Sequence, residues 1–222
     1  MDTPSDIKWF GRAAFSFTDL NGRKIYYVDP HNLRPLALEK ADLIFITHAH
    51  QDHFSPPDIG KIIKDDTIVI APPDILSEIK ISDELKLAVE PNKNYEVKGF
   101  KFSTIPAYNT NPAKLHFHPK DNNWVGYIFE LNGKKIFHGG DTDFITEMKD
   151  LKDLSLDIAM IPIGGVYTME FEEAAEAANA IAAKITIPMH YRELNLDNWH
   201  DLEEDFKKLV TNSEVIILDE LK

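Results

Sequence analysis

Short runs of β-branched and aromatic residues, separated by polar turns, recur along the whole chain. Runs of this length and composition are typical of strands that are buried on one or both faces. The pattern predicts strands at 13–20, 23–28, 42–47, 67–71, 85–89, 95–105, 123–131, 134–138, 156–163, 184–190 and 215–218.

Four segments between these strands have helical character. Proline near the first turn predicts short helices at 56–64 and 73–80. Apolar residues spaced by three or four predict two longer helices, marked by Phe171, Ala174, Ala178 and Ile181 and by Trp199, Leu202, Phe206 and Leu209. Thr168 and Asp197 are the predicted N-caps of these two. Because no linker interrupts the pattern, we expect one α/β (α+β) domain over residues 1–222, with two sheets and helices outside them.

Two predicted hairpins resemble each other. Asn21-Gly22 and Asn132-Gly133 are strong turn signals, because both positions tolerate a positive φ. The segment 20–26 (LNGRKIY) matches the segment 131–137 (LNGKKIF) at an offset of 111 residues, 131 less 20, which is half of the chain. One interpretation is that any two Asn-Gly hairpins look alike, and the other is that the chain consists of two similar halves.

Composition narrows the function classes. The chain has 222 residues, 43% of them hydrophobic, and no cysteine, which excludes disulfides, thiolate metal sites and Cys nucleophiles. No signal-peptide core or membrane-length apolar run is present, so we expect a cytoplasmic protein without a membrane span. A net charge of −13 argues against nucleic acid and anionic membranes as partners. A small-molecule substrate, even an anionic one, remains compatible with that charge, because bound metals reverse its sign locally. A homo-oligomer is a further option that the sequence leaves open.

The candidate chemistry is concentrated where the strand at 42–47 ends. His48, His50, Asp52 and His53 fall within six positions there. Both Asp52 and His53 can be presented only if the chain turns, and one segment could then supply two histidines to one metal and an Asp-His pair to another. Imidazole and carboxylate ligands suit Zn, Mn or Fe. The alternative is a surface loop that happens to be rich in histidine.

Two further ligands are needed from elsewhere for a binuclear site. Asp141 follows a strand through Gly139-Gly140, which lets the backbone approach a metal. His190 ends another predicted strand. Either residue alone would more often be a structural hydrogen-bonding group, and the cluster at 48–53 is what makes both candidate ligands.

The motifs Thr47-His-Ala-His-Gln-Asp-His53, Gly140-Asp141-Thr142 and Pro188-Met189-His190 together resemble those of the metallo-β-lactamase superfamily. The run 161–169 and the ending at Tyr191 look most like the branch of ascorbate-6-phosphate lactonase-like and N-acylphosphatidylethanolamine phospholipase D-type proteins. The resemblance implies a four-layer αβ/βα sandwich. It also implies two divalent ions (Zn or Mn, with Fe as an option) and a ligand set divided between them: His48 and His50 on the first, Asp52, His53 and His190 on the second, and Asp141 bridging.

The chain departs from the family pattern at one ligand. Tyr108 and Asn109 stand where relatives carry a histidine. His116 and His118 are the available substitutes, and we favour His118; the alternative is that neither histidine is a ligand and that the loop only lines the cleft.

The resemblance implies a metal-dependent hydrolase in which a metal-bridging hydroxide attacks a phosphodiester or a small lactone or ester. Asp52 and Asp141 are the predicted catalytic carboxylates. Tyr167, Tyr191, Arg192 and Lys120 are predicted to contact the substrate, because they neighbour the ligand loops in sequence. The rival hypotheses are a degenerate metal-binding protein without activity and a di-iron redox protein.

Overall fold

The computed structural model describes residues 6–20, 24–34, 38–193 and 198–221. Within them the chain forms two compact units, which are residues 6–89 with 218–221, and residues 90–217. The predicted Asn21-Gly22 turn and the predicted Asp197 cap lie outside the described residues. The expectation of a single domain over the whole chain stays a prediction.

The first unit contains six strands and two short helices among its described residues. The strands are β1 (Ile7–Trp9), β2 (Phe15–Asp19), β3 (Lys24–Val28), β4 (Leu43–Phe45), β5 (Ile68–Ala71) and β6 (Lys86–Ala88), and the helices are α1 (Pro56–Ile62) and α2 (Pro73–Leu76). The strands lie in this order in one sheet, antiparallel from β1 to β3 and parallel from β3 to β6. A 3₁₀ turn at Asp83–Leu85 precedes β6.

The second unit contains the remaining elements. Its strands are β7 (Asn94–Val97), β8 (Phe100–Pro106), β9 (Val125–Leu131), β10 (Lys134–His138), β11 (Ile158–Pro162), β12 (Ile185–Met189) and β13 (Glu214–Val215). Its helices are α3 (Phe171–Ile181) and α4 (Trp199–Leu209), with 3₁₀ segments at Lys120–Asn122 and Thr146–Leu154. The strands follow one another in a single sheet, antiparallel from β7 to β10 and parallel from β10 to β13.

Each sheet is held by a continuous apolar layer. In the first unit Ile44, Ile46 and Val69 are fully buried and pack with Ile59 and Ile62 of α1. In the second unit β11 and β12 are buried along their whole length, as expected for central parallel strands. The buried face of α3 carries the alanines and the isoleucine that the helical spacing predicts.

The two sheets share one topology. The series β1 to β6 and the series β8 to β13 both run as two antiparallel pairings followed by three parallel ones. The hairpin β2–β3 then corresponds to β9–β10, which are the two segments that resemble each other in sequence. This agreement favours the interpretation that the chain consists of two similar halves.

Some predicted boundaries were wrong. The segment 95–105 is a hairpin, because Lys98 and Gly99 both adopt positive φ and reverse the chain. The N-cap of α3 is Glu170, so the proposed cap at Thr168 was incorrect. Strand β1 and the 3₁₀ segment Thr146–Leu154 had not been predicted. No helix among the described ranges is long and apolar enough to cross a membrane.

Candidate metal centre

In the first unit the ligand-rich segment forms a tight turn beyond β4. The backbone N–H groups of His53 and Phe54 both donate to the carbonyl of His50, at 2.9 and 2.8 Å. This turn allows both Asp52 and His53 to be presented, as the sequence predicts. His48 and His53 are buried, whereas His50 and Asp52 are partly exposed.

Asp29, which directly follows β3, holds this turn in place through hydrogen bonds to its carboxylate. Its buried carboxylate accepts hydrogen bonds from the backbone N–H and the hydroxyl of Thr47, both at 2.7 Å, and from Nδ1 of His53 at 2.8 Å. Because the Thr47 hydroxyl donates to Asp29, its lone pairs accept from Nδ1 of His48 at 2.9 Å. Both histidines therefore carry their proton on Nδ1, and Nε2 of each carries the lone pair that a metal would bind.

Within each of the two predicted pairs the candidate ligand atoms lie near each other. Nε2 of His48 lies 3.1 Å from Nδ1 of His50, and Nε2 of His53 lies 3.8 Å from Oδ2 of Asp52. Arg12 also donates to Oδ2 of Asp52 at 2.6 Å. Nothing in the residue pattern around Arg12 indicates this contact, so Arg12 is not among the predicted site residues.

In the second unit two predicted histidine ligands lie beside one carboxylate oxygen of a third predicted ligand, Asp141. Oδ2 of Asp141 lies 3.5 Å from Nε2 of His118 and 3.4 Å from Nε2 of His190. All three side chains are buried. His116, the other proposed substitute, is exposed and packs its ring on Phe117.

Asn109 lies directly beside His118. Nδ1 of His118 donates to Oδ1 of Asn109 at 2.8 Å, and the Asn109 amide nitrogen donates to Asp143 and to the carbonyl of Tyr167. Asp143 is not among the predicted site residues, although its position two residues after Asp141 is a signal that points to it. His138 is buried in β10, where its Nδ1 accepts the Gly140 N–H at 3.3 Å.

The four predicted substrate contacts lie in different surroundings. Tyr191 is buried and donates its hydroxyl to Glu203; burial and this hydrogen bond raise the pKa of Tyr191. Arg192 also donates to Glu203, at 2.8 Å. These contacts give both residues a structural partner on α4, and substrate contact stays a prediction for them.

Lys120 and Tyr167 have more exposed side chains. Lys120 donates to the Tyr108 hydroxyl at 3.0 Å and to Glu147 at 3.2 Å, and these hydrogen bonds raise the pKa of Lys120. Tyr167 is 37% exposed, and its ring meets Phe117 edge to face.

The donor chemistry of both units fits divalent metal ions. The side chains that could hold one are those of His48, His50, Asp52, His53, His118, Asp141 and His190. Two ligand atoms on a tetrahedral zinc, with bonds of about 2.0–2.1 Å, lie about 3.3–3.4 Å apart. The separations of 3.1 Å for His48 and His50, and of 3.4 and 3.5 Å around Asp141, are close to that distance.

Comparison with known proteins agrees with this chemistry. The β-lactamase superfamily domain matches residues 6–190. A metal-dependent hydrolase of Thermococcus onnurineus is 35% identical, over 96% of this chain and 95% of that protein.

Solved structures agree as well. The crystal structure of a Parabacteroides distasonis protein named as a metal-dependent hydrolase is 31% identical, covers 97% of this chain and 93% of its own, and has a TM-score of 0.83. A metallo hydrolase from Ignicoccus hospitalis, 21% identical over 97% of this chain and 95% of its own with a TM-score of 0.76, shares the fold. The chain therefore belongs to the metallo-β-lactamase superfamily.

Proposed function

We propose that this protein is a metal-dependent hydrolase with two divalent ions. The assignment is His48, His50 and His118 for the first ion, Asp52, His53 and His190 for the second, and Asp141 as the bridge. The observation that carries it is the position of Asp141, whose Oδ2 is nearly equidistant from His118 and His190. A carboxylate that bridges two ions must stand beside a ligand of each.

The chemistry of the centre follows from this ligand set. When bound, two divalent ions generate a nucleophile from water near neutral pH and polarise the oxygen of the electrophile. The protein's own part is orientation, because Asp29 fixes the ring of His53 directly and that of His48 through Thr47. Asp52 and Asp141 provide negative charge to the ions.

The substrate is a phosphodiester or a small lactone or ester. Of the four predicted contacts, we assign the first encounter with substrate to Lys120 and Tyr167, because their side chains are the more exposed. Lys120 would attract an anionic group, and Tyr167 offers an aromatic face and a hydroxyl.

Metal content per chain tests the proposal. Protein purified without chelator would be analysed by mass spectrometry as wild type, His118→Ala and His116→Ala, where the last is a matched control on an exposed histidine of the same loop. We expect two metals in the wild type and in His116→Ala, and close to one in His118→Ala. Chromogenic phosphodiesters and lactones would then be screened with the metal found.

Two results would contradict the proposal. One is a wild type that retains one metal or none after reconstitution with Mn or Zn. The other is full hydrolysis by Asp141→Ala, because removal of the bridging carboxylate should abolish metal retention and turnover together.

A further inference from the structure

The loop from residue 109 to residue 118 is closed by its first and last residues. The backbone N–H of Asn109 donates to the carbonyl of His118 at 2.9 Å, and Nδ1 of His118 donates to Oδ1 of Asn109 at 2.8 Å. Between them, Lys114 donates to the carbonyls of Gly165 and Thr168. The loop therefore begins just after β8 and brings its last residue, His118, back beside its first, Asn109.

The orientation of the Asn109 amide follows from its neighbours. Its nitrogen lies 2.9 Å from Oδ1 of Asp143 and 3.0 Å from the carbonyl oxygen of Tyr167, and both of these atoms accept hydrogen bonds. The nitrogen must face these two acceptors, so the amide oxygen faces His118. Since an amide oxygen only accepts, Nδ1 of His118 carries the proton and Nε2 carries the lone pair.

Asp143 restricts rotation of the Asn109 amide. It is fully buried, and its other oxygen accepts the backbone N–H groups of Thr110 and Asn111 at 2.7 and 2.9 Å. A carboxylate held by two backbone donors has little freedom to turn. The order of contacts is thus Asp143 to Asn109 to His118 to Asp141, entirely within the second unit.

We propose that Asn109 is a positioning residue, which sets the tautomer and ring direction of His118 so that its Nε2 can bind metal. The inference rests on the proposed function, in which His118 is a ligand. The amide of Asn109 orients, and the imidazole of His118, brought back by the loop, coordinates.

The tautomer of His118 is the first test. Long-range ¹H–¹⁵N correlation spectra of the full chain, with metal removed by chelator, report which ring nitrogen carries the proton. We expect Nδ1–H for His118 in the wild type, and a mixture of tautomers in Asn109→Ala. A proton on Nε2 in the wild type would overturn the proposal whether or not the protein hydrolyses anything.

Metal affinity is the second test. Co²⁺ binding, followed by its visible absorption and by competition with a chelator, would be compared in the wild type, Asn109→Ala and Asn111→Ala. Asn111 lies in the same loop, and its side-chain oxygen accepts the exposed backbone N–H of Ala113, so it is the matched control. We expect about 10- to 100-fold weaker binding of one Co²⁺ in Asn109→Ala. Equal affinity in both variants would overturn the proposal.

A charge exchange separates positioning from a general folding defect. Asn109→Asp keeps an acceptor for His118, but it places the new carboxylate beside that of Asp143, and the two repel each other. Adding Asp143→Asn to the same chain restores a donor–acceptor pair between the two positions. We expect the double variant to recover most of the Co²⁺ affinity that Asn109→Asp loses. A double variant no tighter than Asn109→Asp would contradict positioning. A wild type that binds no Co²⁺ would instead refute the proposed function, while the tautomer still tests Asn109.

Discussion

Asp29 and His53 form a fully buried pair, in which Nδ1 of the histidine donates to Oδ2 of the aspartate at 2.8 Å. The aspartate ends one strand and the histidine follows the next, 24 residues later. The same carboxylate accepts two hydrogen bonds from Thr47. One residue therefore orients the two buried histidines of the first unit.

Asp29→Asn should separate metal binding from folding. Asparagine tolerates the positive φ of 46° at this position. Its amide can still accept from Thr47, but its nitrogen would face Nδ1 of His53 and favour the wrong tautomer. We expect about 10- to 100-fold weaker metal binding, measured by chelator competition. The exposed Asp83→Asn is the control, and equal affinity in both variants would refute the role of Asp29.

His190 occupies a strained backbone position. Its φ is 60°, in the left-handed region where a Cβ atom costs roughly 1–2 kcal/mol. His190→Gly and His190→Ala both remove the imidazole, but glycine alone relieves the strain. Allowing for the greater freedom of glycine in the unfolded chain, we expect the glycine variant to be about 1 kcal/mol more stable in urea denaturation. An alanine variant of equal or higher stability would show that the strain is absent.

Asp58 should make the first unit sensitive to acid. Burial raises the pKa of Asp58, but hydrogen bonds from Lys61, Ser55 and the backbone N–H groups of Leu33 and Asn32 outweigh it and hold that pKa below 3.8. Because the folded pKa is the lower one, the carboxylate stabilises the fold above the unfolded pKa, and this contribution is lost as pH falls through the folded value.

The variant Asp58→Asn provides the measurement. At pH 7 we expect it to be about 2 kcal/mol less stable than the wild type, because it lacks the hydrogen bonds to a charged acceptor. The difference should shrink as urea midpoints are taken at successively lower pH below about 4. A difference that stays constant down to pH 3 would contradict the assignment.

Two glycines should respond to alanine in opposite directions. A Cβ on Gly126 of β9 would lie 2.9 Å from the carbonyl oxygen of Gly139 and 3.0 Å from that of His138, so backbone must move. We expect Gly126→Ala to cost about 1–3 kcal/mol. Gly60 in α1 has open space around it, and Gly60→Ala should stabilise by about 0.5–1 kcal/mol. Thermal unfolding of both variants measures these changes in stability. A Gly126→Ala variant as stable as the wild type would show that β9 and β10 can separate.

Most strands and both long helices could be predicted from local pattern. Periodicity placed α3 and α4 correctly, because their apolar faces repeat every three or four residues. The likeness of 20–26 to 131–137 anticipated two sheets of the same topology. The short strand β1 was not predicted, because three residues are too few to show a periodic pattern and its pairing with β2 depends on tertiary packing.

The residue types at 48–53, 141 and 190 were enough to identify a metal-binding protein of this superfamily, because histidine and aspartate side chains are themselves the groups that bind metal. Their supporting partners were decided only by tertiary structure. Arg12 and Asp52 are 40 residues apart, and Asn109 and Asp143 are 34 apart. Local propensity carries no information over such distances; the packing of strands and loops within each unit brings these polar groups together, where burial makes a specific partner obligatory.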